Sequence, residues 1–538
     1  MQYKAILFDT RSIQKYIFSS NQLKTNIGAS YLVEAVFEKI LLPAVREILG
    51  ADTLDDMSWK RPEDTDWSSM TAAARVGYIG GGKALLLFAE HVDDDILSAV
   101  IAAFTKKLLI HAPGLHTGAA IGTLELAADG RYIGAERLNP LFDRLKEGQN
   151  TVFPAVNVPY TGLTLACSET GETANAWVGG RFCSWEVAAK LHPTFPSGSG
   201  EADVQQALMD KLMTAFTPEA QEHFIGRYDF PLEFARLGQK TPKNDIAVVH
   251  IDGNNMGRKF QGCETLTAYI RRSRGIRHDT LVAFAALVKH IVEHIDRYKD
   301  SLDLRDEHGL CTLPVRPIVL GGDDMTFVCA GKAAVEFSAF LMQHLMEKNI
   351  ASCAGITIMN TSYPFFRAYE MAEELCGAAK NEMRALERAA GHEVDSCWLD
   401  FAILHGEQPP TLEQIREQQY SGKCGVMHFG PYRVDGDAST PEYVGNLIEA
   451  VRQLVQGEGR MPMNKIKELR SVLAAGRHEH AQFMAQYHRL IASGGAMRLP
   501  EIAAWSSYRE SLWQEGRTPY VDAIEMIDFY VPEEVQHG

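Results

Sequence analysis

The sequence has no Cys-x-x-Cys pair; its nine cysteines are scattered from Cys167 to Cys424. That spacing disfavours a zinc ribbon or a disulfide framework and fits thiols used as small core hydrophobes in a reducing cytoplasm. No apolar run approaches the roughly 20 residues that a membrane span needs. The N-terminus, MQYKAILFDT, lacks the basic flank and small-residue site of a signal peptide and reads as a strand. Basic excess is missing too. Net charge is -16 with a pI near 5.6, which argues against a broad surface for nonspecific nucleic-acid binding. What remains is an ordinary globular composition, 46% hydrophobic and 23% charged over 538 residues, enough for several domains with their own cores.

The order of elements repeats. YKAILFDTRSIQKYIF is an apolar strand ending at Asp9, followed by a helical pattern to about Leu49. RVGYIGGGKALLLFA is two apolar runs hinged on glycines, a β-hairpin, and AVIAAFTKKLLI and HTGAAIGTLEL read as a helix and a strand. From Asp245 the series recurs as IAVVHIDGNNMG, LVAFAALVKHIVEHI, RPIVLGGDDMTFVCA, AAVEFSAFLMQHLMEK and ASCAGITIMN. About seventy residues separate Asp9 from its glycine turn, and Asp252 from its counterpart. Five matched elements imply a duplicated βαββαβ unit, the ferredoxin-like palm. The expected class is therefore α+β. It comprises a first, degenerate palm over 1–150, a connector domain over 151–240, a second palm over 241–400 and a helical domain over 401–538. The last is entered through a loop at Pro409 and Pro410.

The hairpin RPIVLGGDDMTFV sets Asp323 and Asp324 at a glycine turn, and Asp252 ends a neighbouring strand at DGNN. A GGDD turn alone is an ordinary hairpin, since glycine and aspartate are the commonest turn residues. In a ferredoxin-like sheet, however, the first strand lies beside the central hairpin, so the three carboxylates can converge. Hard oxygen donors suit Mg²⁺ or Mn²⁺, with water and triphosphate oxygens completing the shell. Such ions can activate a 3′-hydroxyl and stabilise departing pyrophosphate. Gly321 and Gly322 let backbone approach a phosphate or base with no Cβ in the way. The matching turn of the first repeat carries Gly82, Lys83 and Ala84, so no catalytic metal is expected there. One local basic stretch, IRRSRGIRHD with Arg271, Arg272, Arg274 and Arg277, reads either as a grip on RNA or product phosphates or as a solvated loop.

Together, IDGNNMG, VLGGDDMTFV and CAGITIMNTSYPFFRAYEMAEELCGAAK, with DTRSIQKYIFSSNQLKTNIGASYLVEAV and GYIGGGKALLLF upstream, carry a family resemblance. The chain resembles the large polymerase-like subunit of type III CRISPR effector complexes over both palms and, more loosely, the tail. More distantly it resembles the GGDEF diguanylate cyclases. The resemblance implies a cytoplasmic, metal-dependent nucleotidyl transferase that makes a cyclic oligoadenylate messenger from ATP in CRISPR-type antiviral defence. It implies Asp252, Asp323 and Asp324 as catalytic ligands of Mg²⁺ or Mn²⁺, and Gly321, Gly322, Asn255 and Lys380 as nucleotide-binding residues. ATP or another nucleoside triphosphate is the expected substrate. Guide and target RNA and other effector subunits are candidate partners; self-association stays open, and no membrane partner is expected. Two family modules are not read here. The chain opens on the palm where many relatives carry a histidine-aspartate nuclease domain, and His278-Asp279 lacks the further histidines such a site needs. Cys167 and Cys183 lack the paired spacing of the family's cysteine knuckle. Two alternatives remain: a nucleotide- or RNA-binding scaffold subunit without turnover, and a cyclic-dinucleotide synthase using GTP.

Overall fold

In a computed structural model of the chain the described residues are 1–133, 138–149, 160–196, 198, 200–238, 244–304, 306–307, 309–406, 411–458, 460–493 and 498–533. The joints expected at 150/151 and 240/241, and Pro409 and Pro410, lie outside them. The chain forms two compact units. One takes Met1–Ala215, Asn255–Thr280 and Ile318–Asp323; the other takes Phe216–Asn254, Leu281–Pro317 and Asp324–Gly538.

The first unit is built on a five-stranded sheet. Its strands are β1 (Gln2–Arg11), β2 (Leu54–Asp55), β3 (Ala74–Gly80), β4 (Lys83–Ala89) and β5 (His116–Glu125), in the order β2-β3-β4-β1-β5. Runs such as AILF in β1 and ALLLF in β4 are buried on both faces, which is why these strands read as continuous apolar stretches. The turn between β3 and β4 passes through Gly81 and Gly82 at φ 57° and 72°, a left-handed conformation that favours glycine. On one face Phe104 of helix α1 (Asp94–His111) meets Phe8 edge-on, with ring centroids 5.2 Å apart. On the other, Tyr3, Ala5 and Leu7 share a core with Leu85, Leu141, Leu266 and Ile270.

The basic stretch of this unit is helical and bonded, not a solvated loop. Within α2 (Leu266–Glu293), Arg271 holds the Glu63 carboxylate and Arg277 that of Glu34. Arg272 and Arg274 donate to the carbonyls of Lys259 and Lys60. These bonds brace the unit, while the side chains of Arg271 and Arg277 stay 66% and 41% exposed.

A six-stranded sheet is made of β6 (Asp245–Gly253), β7 (Val315–Gly321), β8 (Asp324–Ala330), β9 (Ser352–Asn360), β10 (Trp398–Leu404) and β11 (Tyr432–Arg433), all in the second unit but the end of β7 from Ile318. The order is β7-β8-β6-β9-β10-β11. Its first four strands repeat the order β3-β4-β1-β5, and the ferredoxin-like α+β class expected from the repeat is the observed one. Phe284 of α2 packs on Phe327 of β8, and the helix α3 (Ala334–Glu347) contributes Phe337, Leu341 and Met342 to the buried core. The opposite face is covered by α4 (Phe365–Ala390).

Downstream of the palm the chain is mostly helical, as its periodicity predicts, yet it also supplies β11. A buried polar network ties it to the sheet. His428 Nε2 lies 2.8 Å from Asp400 Oδ1 on β10, and its Nδ1 lies 3.1 Å from Asp522 Oδ1. Arg416 donates to both oxygens of Asp400, and the Tyr432 hydroxyl donates to Asp522 at 2.7 Å. Removing one partner from so buried a set costs about 3–5 kcal/mol, because it strands a charge out of water. All nine cysteines are free and seven are buried, the core role expected of them. Among the described residues, no helix is long and apolar enough to cross a membrane.

Candidate functional site

Strand β6 is apolar until its end. Alternation sets Ile246, Val248, His250 and Asp252 on one face, the first two fully buried. On β8 the same face carries Asp324, Thr326 and Val328. The antiparallel register sets Asp252 across from Asp324 and His250 across from Thr326. Facing carboxylates repel, a cost that the Lys380 ammonium on Asp252 offsets in part. Both remain partly solvated, with side-chain exposures of 33% for Asp252 and 28% for Asp324.

Helix α4 closes over this face because β9 carries Gly355 across from His250. A Cβ at Gly355 would stand 1.9 Å from the Ala372 carbonyl oxygen, so only glycine admits the helix this near. The helix then turns Tyr369, Cys376 and Lys380 toward the sheet, with Glu373 exposed at the margin of the same stripe. Lys380 Nζ donates to Asp252 Oδ2 in a close ion pair. Burial alone would lower the Lys380 pKa, but the Asp252 carboxylate outweighs it and the ammonium is held above its ordinary value. Tyr369 donates to Glu373 at 2.9 Å, and burial raises the pKa of that carboxyl. Beneath them the His250 ring meets Tyr369 edge-on at 5.6 Å. His250 Nδ1 lies 3.3 Å from Thr326 Oγ1 and 3.4 Å from Asp324 Oδ1. Burial pushes this imidazole down to about 4, against the raising influence of Asp252, so it is neutral near pH 7.

Of the residues singled out in the sequence, Asp252, Asp324 and Lys380 come together in this unit. The chain passes to the other unit between Asp324 and Asp323, and there Asp323, Gly321, Gly322 and Asn255 are found. Within that unit the Gly322 carbonyl accepts from Thr280 Oγ1 at 2.6 Å, and its φ of 74° is the conformational reason for glycine. At Gly321 a Cβ would meet only Val319 at 3.6 Å, so the described protein atoms leave room there for a side chain. Asn255 adopts left-handed φ 57° at the start of helix Met256–Gln261, a backbone role. Asn254 is buried and donates to the Ser396 carbonyl at 2.9 Å. Sequence reasoning missed His250, Tyr369 and Glu373. The signal for the last two was their spacing from Lys380 on one helical stripe; a lone histidine in an apolar strand offered none.

Among the described residues, no group of three or more histidines, cysteines, aspartates and glutamates could hold a metal ion by itself. The register provides two facing, partly exposed carboxylates. That donor set suits a small hard cation that keeps several waters and shares its remaining positions with substrate phosphates, as Mg²⁺ does. It does not suit a softer metal that demands a closed protein cage.

Residues 245–386 match the Cas10/Cmr2 second palm domain. Among solved structures with this fold are the Csm1-Csm4 cassette in complex with pppApApA and the cassette in complex with AMPPNP. The first is 11% identical, covering 98% of this chain and 69% of that one at a TM-score of 0.51. The second is 14% identical, covering 98% and 70% at 0.51. Csm1 in T.onnurineus is 15% identical, covering 99% and 70% at 0.50. No curated protein matches the sequence.

Proposed function

We propose that this chain, a Cas10-like subunit of the type III CRISPR kind, is a metal-dependent nucleotidyl transferase that joins ATP into a cyclic oligoadenylate. The observation that carries this reading is the placing of Asp252 across from Asp324 under Lys380. Solved relatives of the same fold, bound to AMPPNP and to pppApApA, support the nucleotide class. The two carboxylates, with Asp323 beside them in sequence, would hold Mg²⁺ or Mn²⁺. Once bound, such an ion supplies Lewis-acid stabilisation of phosphate charge and lowers the pKa of an attacking hydroxyl.

The chain's own groups do the rest. Lys380 offers a charge-assisted donor to the triphosphate, neutralising charge that grows as pyrophosphate leaves. The neutral imidazole of His250 backs Asp324 without adding a cation that would weaken its hold on metal. Helix α4 covers the inner side of the site and positions Lys380 over it. In the reaction a bond forms between one nucleotide's 3′-oxygen and the α-phosphorus of another. The bond from that phosphorus to the β-bridging oxygen breaks, and the hydroxyl proton leaves to solvent. Other effector subunits and RNA are the proposed partners, the Csm1-Csm4 cassettes being the precedent for the former.

Each labelled nucleoside triphosphate, incubated with the full chain and Mg²⁺ or Mn²⁺, tests this against an Asp323→Ala/Asp324→Ala variant, with products identified by mass. Adenylate oligomers that vanish in the variant support the synthase. GTP-derived dinucleotides would replace ATP by GTP. Binding without product from any nucleotide, even with RNA and partner subunits added, would leave a nucleotide-binding scaffold.

A further inference from the structure

We infer that Lys380 closes the site to free divalent cations, so that its ligand is the metal-nucleoside triphosphate complex and not metal first and nucleotide second. This rests on the metal-dependent reading of Asp252 and Asp324 given above. Three observations lead to it.

The Lys380 ammonium already sits on Asp252 Oδ2, where an incoming cation would have to bind. Its side chain is only 20% exposed and that of Asp252 33%, so water and salt screen this pair less than a surface one. A free divalent ion taking this oxygen must displace the positive charge already held there.

The first sheet shows the same arrangement made permanent. Asp9 stands at the register position of Asp252, and its cross-strand partner is Lys83. Lys83 Nζ lies 3.4 Å from Asp9 Oδ1. There a lysine is the built-in counter-ion of the strand-end carboxylate. In the second sheet the cross-strand position holds Asp324, and the ammonium arrives from the helix above.

The third is chemical. Lysine's charge rides on a flexible four-carbon stem, and the side chain can swing without moving α4, which is anchored by buried Ala379 and Met383. A triphosphate offers that ammonium a new anionic partner in the same event that delivers a cation to the vacated carboxylate. Metal alone offers Lys380 nothing, and nucleotide alone leaves the two aspartates facing each other without a cation. Binding of the two is then cooperative, and by linkage the coupling is reciprocal.

Mn²⁺ binding to the full chain, read by electron paramagnetic resonance, separates the possibilities. An Asp252→Asn/Asp324→Asn variant defines the background from other surface carboxylates. The site-specific Mn²⁺ affinity of Lys380→Gln, without nucleotide, is expected to exceed that of the native chain by about tenfold or more. In the native chain AMPPNP should tighten Mn²⁺ at this site, and in Lys380→Gln that tightening should shrink. If Lys380→Gln fails to fold, Lys380→Met carries the same comparison. Equal Mn²⁺ affinity in the native and Lys380 variants, lost in the aspartate variant, would overturn the inference and leave the metal site standing. If removing both aspartates changes no Mn²⁺ signal in any background, with or without AMPPNP, the metal site itself is wrong and the inference goes with it.

Discussion

Two sheets with the same core strand order end in different chemistry. In the first, Leu7 faces Leu85 and Asp9 faces Lys83; in the second, His250 faces Thr326 and Asp252 faces Asp324. The first edge is closed by an apolar pair and one internal ion pair, so it has no unbalanced charge to offer a ligand. The second buries a neutral imidazole and sets two carboxylates opposite each other, with the Lys380 ammonium held on Asp252 from the helix above. The covering helices differ as well. Opposite Leu7 the first sheet has Ala120, whereas opposite His250 the second has Gly355 and a helix backbone almost touching it. The two sheets share one strand order, and a handful of side chains sets the charge at each edge.

The sharpest way to break this contrast is to remove one carboxylate from each edge. Asp324→Ala should reduce product formation from ATP by on the order of 10³-fold, the scale of losing an electrostatic anchor of the reacting phosphates. Asp9→Ala should leave it within a few-fold, with initial rates measured by mass or radiolabel. Comparable losses in both would end the division of labour.

Next in size is the closeness of the covering helix. Gly355→Ala forces a methyl against the Ala372 carbonyl and should cost about 3 kcal/mol, read as a shift in the denaturant midpoint. Position 120 of the first sheet, across from Leu7 as Gly355 is from His250, carries alanine and is the natural comparison.

How much of this was legible beforehand follows from how strongly each feature marks a sequence. Asp323 and Asp324 drew attention only once Asp252 ended a neighbouring strand, since a GGDD turn alone reads as a plain hairpin, whereas the repeat of five elements gave away both sheets. Lys380 was legible only through the family resemblance, because a lysine on a 26-residue helix looks like any solvated one. His250 looked like a core residue since the strand around it is apolar, and its partners lie on another strand and a distant helix. The tail read as helical, and β11 escaped because two residues carry no alternation. The Asp400–His428–Asp522 network escaped because His428 and Asp522 are 94 residues apart in sequence. The arginine stretch read as a phosphate grip or a solvated loop, since charge pattern shows neither the helix that carries it nor the carboxylates that Arg271 and Arg277 meet.

The buried histidine should also separate the two sheets by pH. His250 is held at about 4, below its ordinary 6.5, because burial disfavours the charged ring. Between those values the unfolded chain binds the proton and the folded chain does not. The stability that this neutral ring allows is therefore present above pH 6.5 and is lost as pH falls toward 4, by up to about 3 kcal/mol. In His250→Leu, which gives the second sheet the residue type of Leu7, that part of the acid slope should disappear. Urea unfolding from pH 4 to 7.5 in the presence of EDTA measures it. An unchanged difference between native and variant across that range would mean that His250 is not held neutral.

The smallest expected effect asks whether strand register alone makes a cation site. Lys83→Asp replaces the internal counter-ion of Asp9 with a second carboxylate, so the first edge gains the opposition that Asp252 and Asp324 have. Without metal the variant should lose about 1 kcal/mol, from like charges set across a strand pair. Added Mn²⁺ should restore the loss in Lys83→Asp and leave the native first sheet unmoved, because there Lys83 still fills the place. Thermal unfolding with and without Mn²⁺, in an Asp252→Asn/Asp324→Asn background that silences the second site, gives the answer directly. Recovery would mean that two facing aspartates at this register suffice to bind a divalent ion, and that Lys83 is what keeps the first copy inert. Failure to recover would show that the second edge depends on more than its register, with Asp323 and the stripe on α4 as the remaining differences.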